Sequence, residues 1–138
     1  MDTADLDQSW LLLYTKARAE SWAEINLRRQ GFSTLLPRVR QRGGFGPLFP
    51  RYLFVGAPLG TDLRPARSTR GVLYVVHFGE KPARVPLDVV QEIRGRMDEH
   101  GVVELERRPL EDSLFARRER ERVRALVKLA QAGFRVVA

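Results

Sequence analysis

The sequence predicts an α+β fold: a ferredoxin-like split βαβ sheet with helices packed on it, followed by a C-terminal amphipathic helix. Three observations predict it. Apolar runs of strand length alternate with segments whose apolar residues recur at three and four. Glycine and proline fall between these segments as punctuation. The 138 residues, 43% of them hydrophobic, suffice for one domain with a real core but are short for two.

The elements follow in order. WLLLYT, residues 10–15, reads as a buried strand. A helix is expected from Arg18 to Gln30, with Ala19, Trp22, Ala23 and Leu27 on one face and Gly31 as its stop. Residues 33–42 resume extended structure, Val39 standing between Arg38 and Arg40, until GGFG breaks it as a hairpin tip. Residues 51–57 form a strand, TDLRPARSTRG a loop or short helical turn, and residues 72–78 another strand. After Pro86, suited to a helix start, Leu87, Val90, Ile93 and Met97 run at helical spacing. The order is close to a split βαβ layer with a right-handed crossover.

Composition narrows the function. The chain has no cysteine, which excludes disulfides, thiolate metal sites and cysteine nucleophiles. No run approaches the roughly 20 apolar residues of a bilayer crossing, and the acidic opening MDTADLDQS lacks the pattern of a signal peptide. A cytoplasmic protein with no membrane partner is expected. Residues 16–70 hold eleven Lys or Arg against three acids, whereas residues 71–138 hold thirteen against eleven. The cationic field therefore belongs to the first half, and the prevalence of arginine suits phosphate and base edges. A polyanion is the expected partner; the competing reading is a solvated arginine-rich surface.

Enzyme chemistry finds little support. His77 and His100 have no second histidine or carboxylate at ligand spacing, and the glycines of RGGFGP lack the Lys-Ser/Thr of a phosphate loop. No catalytic residue, metal or cofactor is expected.

PLFPRYLFV, residues 47–55, is apolar on both faces of its strand. Tyr52 and Phe54 share one face and Leu53 and Val55 the other, because strand side chains repeat every two residues. Either the Tyr52/Phe54 face meets a partner, or both faces are buried internally. On α-helical geometry Arg18, Trp22 and Arg29 gather along one edge, with Asn26 and Gln30 intruding beside the apolar stripe. Amides there can read base edges, and a Trp or Arg plane can stack on an unpaired base.

WLLLYTKARAESWAEINLRRQGFSTLLP, PLFPRYLFV and RSTRGVLYVVHFGEKPARVP, in this order and spacing, closely resemble the N-terminal (NGN) domain of the bacterial NusG family of transcription elongation factors. The match is nearest to its RfaH-like antiterminator branch and covers residues 9 to about 97. The resemblance implies a monomeric, non-enzymatic factor that promotes processive elongation. It implies polymerase-binding residues Phe49, Tyr52 and Phe54, set on the clamp helices of the largest RNA polymerase subunit. It also implies contacts to the non-template single-stranded DNA from Lys16, Asn26, Arg29, Gln30 and Arg70, with Arg18 beside them. Asn26 stands where the best-known antiterminator has histidine. Asp62, Leu63 and Arg64 occupy the site of a second polymerase contact without its residue types, which leaves that contact open. The alternative function is a basic, ribosome-associated RNA-binding module.

The domain organisation expected is a disordered segment at 1–8, the NGN-type domain at 9–100, a linker at 101–109 and a tail at 110–138. Family members usually end in a small KOW β-barrel, and the tail resembles only its later half. Leu110, Leu114, Val123, Leu126, Val127 and Ala130 instead recur at helical spacing, with Gly133 as a stop. The tail is then either a residual lid over the Tyr52/Phe54 face or a decayed barrel.

Overall fold

The computed structural model describes residues 7–104. The expected tail helix, most of the expected linker and residues 1–6 lie outside them. The chain runs β1 (Ser9–Thr15), α1 (Glu20–Arg29), β2 (Ser33–Leu35), β3 (Arg38–Gln41), β4 (Gly44–Pro47), β5 (Tyr52–Ala57), α2 (Arg64–Arg67), β6 (Val72–Val75), β7 (His77–Phe78), β8 (Lys81–Pro82), β9 (Arg84–Val85) and α3 (Leu87–Arg96). The main sheet has the order β2-β5-β1-β6, with β9 also pairing β1, and every pairing is antiparallel. Taken as first, second, third and fourth strands, β1, β2, β5 and β6 have the order of the ferredoxin-like split βαβ. β5 splits β1 from β2, which is why these two strands need the α1 crossover.

β1 is central, so its run of apolar residues is buried on both sides. It pairs with β5 through Leu11↔Val55, Leu12↔Phe54, Leu13↔Leu53 and Tyr14↔Tyr52. The register sorts the side chains into two layers. Leu11, Leu13, Leu53 and Val55 pack with Ala23 and Leu27 of α1 and Ala66 of α2. Trp10, Leu12 and Phe54 pack with Val89, Val90 and Ile93 of α3, and with Leu35, Val39, Leu48 and Phe49. The apolar spacing recognised after Pro86 thus roofs the second face of the sheet.

α1 starts at Glu20, two residues later than the sequence predicts. Arg18 takes a left-handed φ of +60° and belongs to the turn before the helix. Trp22, placed on the apolar face by spacing, is 49% exposed; Ala19, Ala23 and Leu27 are buried. Gly31 ends the helix as expected. Its φ of +92° lets its own N–H reach the Arg28 carbonyl and the Phe32 N–H the Leu27 carbonyl.

GGFG does more than break the chain: Gly44–Pro47 pairs with β3 in a hairpin turning at Arg42 and Gly43. The strand expected over 72–78 is interrupted at Val76, where the chain leaves the sheet for a small β7–β8 hairpin. Packing continues past residue 100. Val102 and Val103 are buried, with Arg38 receiving and donating backbone bonds around them. Asp98 fixes that return, its Oδ1 accepting the N–H groups of His100 (2.8 Å) and Val102 (2.9 Å). Those bonds hold its carboxyl below the usual aspartate range.

Candidate partner and nucleic-acid interface

The aromatic block divides between core and surface. Phe54 is fully buried and Phe49 4% exposed, their rings edge to face at 6.1 Å within the α3-side core. The expectation that Phe54 stands on an open face is therefore corrected, because α3 covers that row. Tyr52, two residues earlier on the same face, is half-buried. Its neighbours are two tyrosines that the sequence reading did not select. Tyr14 lies edge-on to Tyr52 at 5.2 Å and stacks on Tyr74 at 5.0 Å, so three tyrosines cross β5, β1 and β6 in one row. Tyr74 is 49% exposed.

Arg51 closes one side of this row with its guanidinium 4.5 Å from the Tyr14 ring centre. It is held by bonds from its Nε to the Thr15 carbonyl (3.1 Å) and from its N–H to Glu20 Oε1 (3.0 Å). These fixings secure a left-handed φ of +71°, costly for a residue with a Cβ. Tyr14 was legible by parity, since it stands two after Leu12 as Tyr52 stands two before Phe54. Tyr74 was not, because a bulge shifts the β1–β6 register between Tyr14 and Thr15.

The basic set converges more fully. The N–H of Lys16 donates to the carbonyl of Gly71 (2.8 Å), joining the end of β1 to the STRGV block. Asn26 Nδ2 donates to the Arg70 carbonyl (3.4 Å), and Gln30 Nε2 to Thr69 Oγ1 (2.7 Å) and the Asn26 carbonyl (3.2 Å). Thr69 in turn donates to the Pro65 carbonyl at 2.8 Å. Gly71 makes the approach possible: at φ +94°, an added Cβ would sit 3.1 Å from Ala23 Cβ and 3.3 Å from the Ala19 carbonyl oxygen. Both amides direct nitrogen inward to the loop and leave their side-chain oxygens for other partners.

Lys16, Arg29, Gln30 and Arg70 are exposed along this edge and Asn26 half-buried. Among the described residues, no ion pair reaches Lys16, Arg29 or Arg70. The carboxylates of α1 lie on its other flank. Glu24 bonds Arg28 and Thr34, and Glu20 is buried against Arg51. A field of one sign remains. Arg18 differs from the set in its surroundings: it borders the β3–β4 hairpin with Arg38, Gln41 and Phe45.

At the start of α2, Arg64 pairs with Asp62 of the preceding loop at 2.8 Å, both exposed. The pairing lowers the Asp62 pKa, and the two charges largely cancel. No described helix is long and apolar enough to cross a membrane.

A solved structure from Thermotoga maritima, "Domain interaction in Thermotoga maritima NusG", is similar with a TM-score of 0.52 over 76% of this chain. At 21% identity that likeness is one of fold, and the chain spans 65% of the length of that protein. Residues 8–94 match the model of the family described as NusG, transcription termination factor nusG. That match runs through well over half of the 138 residues, and the chain belongs to the NusG family.

Proposed function

We propose that this protein is a transcription elongation and antitermination factor of RfaH-like type, acting in the cytoplasm as a monomer without chemistry of its own. It holds RNA polymerase by one surface and the exposed non-template DNA strand by another. The observation that carries this reading is the joining of Lys16, Asn26, Gln30 and Arg70 into one cationic edge by bonds to the Thr69–Gly71 loop from the end of β1 and from α1 with its C-cap, in a chain of the NusG family. A single strand offers phosphates to the bases and base edges to the amide oxygens.

The polymerase surface is the tyrosine row. Tyr52 makes the contact on the clamp helices of the largest subunit, with Tyr14 and Tyr74 extending it, and Phe54 and Phe49 support it from beneath. Rigid aromatics with polar tips suit such an interface, since they contribute large area at small entropic cost. Bridging these two partners favours the active polymerase conformation over the paused one by binding it more tightly.

The test is association of the full chain with core RNA polymerase and with ribosomes. Retention on polymerase, lost in Tyr52→Ala with the circular dichroism spectrum unchanged, supports the reading. Retention on ribosomes alone assigns the chain to the basic RNA-binding class and overturns it.

A further inference from the structure

Two tryptophans occupy opposite environments: Trp10 is 2% exposed in the α3-side core, and Trp22 is 49% exposed on α1. An exposed tryptophan is unusual, because the side chain carries the largest apolar area available. Trp22 precedes Asn26 by four residues and Arg29 by seven, so the three lie on one edge of α1 spanning about 10 Å at 1.5 Å per residue. That edge adjoins the chain at Arg70 and Gly71, which packs on Ala19 and Ala23 and bonds Asn26. By helical position Trp22 therefore lies beside Asn26 and Arg29, on the edge to which the backbone at Lys16 and Arg70 is joined, with the α1 carboxylates on the other flank.

We infer that Trp22 is a stacking platform for one unpaired base of the single-stranded DNA, and that it anchors the strand whose phosphates Lys16, Arg29 and Arg70 hold. The inference rests on the DNA reading of this edge and adds the base contact to it. An aromatic plane accepts any base, because every base has a π-face. The surrounding charge selects a polyanion over an apolar protein surface.

Trp10 provides a buried internal reference, so tryptophan emission reports on Trp22. The full chain is titrated with a single-stranded DNA of roughly twelve nucleotides, within the usual site sizes of such proteins, while anisotropy of a labelled strand reports binding separately. Binding is expected to quench the exposed emission. Trp22→Ala is expected to bind roughly tenfold more weakly, equivalent to about 1.4 kcal/mol, with an unchanged dependence on salt because the phosphate contacts remain. Trp22→Phe is expected to retain most of the affinity. An abasic strand is expected to bind the wild-type chain and Trp22→Ala alike.

Full affinity of Trp22→Ala, or binding without quenching, overturns the stacking role while leaving the DNA reading standing. No anisotropy change with the wild-type chain removes the DNA reading and this inference together. At least tenfold tighter binding of an RNA strand of the same sequence overturns the choice of DNA.

Discussion

On one face of the sheet, Leu11, Leu13, Leu53 and Val55 are closed over by α1 and α2. On the other, α3 closes over Trp10, Leu12 and Phe54, and the same row then continues into Tyr52 and Tyr14, with Tyr74 alongside. The difference is chemical as well as geometric. Where the row is wholly buried it is Trp, Leu and Phe; where it meets the surface it changes to Tyr, whose ring packs while its hydroxyl stays in polar surroundings. The DNA surface proposed above lies on the outer edge of the helix that covers the first face. The polymerase surface proposed above lies at the end of the strand row on the second.

The sharpest way to break this contrast is to truncate adjacent aromatics on β5. Phe54→Ala is expected to destabilise the fold by about 3–5 kcal/mol, as for large side chains removed from a packed core. Tyr52→Ala is expected to cost only about 1 kcal/mol in stability but roughly 2 kcal/mol or more in polymerase binding. Urea denaturation and a binding titration separate the two, and equal stability losses would erase the distinction between core and platform.

Gly71→Ala probes the α1 face. The left-handed backbone and the close approach to Ala23 and the Ala19 carbonyl predict a loss of about 1–3 kcal/mol. Single-stranded DNA binding falls with it, because Arg70 and the Lys16 attachment move together. Denaturation combined with DNA titration reads both effects.

The outer edge itself is expected to be separable from stability. Arg29→Ala and Arg70→Ala each reduce the logarithmic salt slope of single-strand binding by roughly 0.7 for every phosphate no longer neutralised, with melting nearly unchanged. Arg18→Ala, on the hairpin side, leaves the slope where it was. A reduced slope in Arg18→Ala would extend the DNA surface around the helix start.

The smallest effect expected is at Asp98, which tethers the return of the chain to Val102 and Val103 beside α3. Its folded pKa is depressed by bonds from the Val102 and His100 N–H groups. Its contribution is therefore present above the ordinary value of 3.8 and is lost as pH falls through the lower folded value. Asp98→Asn is expected to flatten that part of the acid stability curve, measured by denaturation at several pH values.

Much of this was legible from the residues. The strand-helix order, the stop at Gly31, the parity of Leu53 and Val55 and the pairing of basic residues with amides on α1 all rest on local periodicity and turn chemistry. What escaped rests on contacts distant in sequence. Phe54 looked open because nothing in PLFPRYLFV reveals that α3, over thirty residues later, lies on that face. Trp22 looked buried by spacing, but the chain at Gly71 packs on Ala19 and Ala23 of α1 while the indole is 49% exposed. Arg18 looked helical until its left-handed φ set it in the preceding turn. The face of Tyr74 was hidden because a bulge just beyond it puts Val72 and Val75 in the same core layer, which alternation alone does not reveal.

Lys16 and Arg70 are fastened to the fold through their main chain, Lys16 by its N–H and carbonyl and Arg70 by its carbonyl oxygen. Their side chains carry no described structural duty, so either can change identity without loosening the attachment that positions it. The scaffold and the lettering on it are thus held by different atoms. If the proposed DNA reading holds, the strand gripped here can be revised one surface residue at a time while the frame beneath stays as it is.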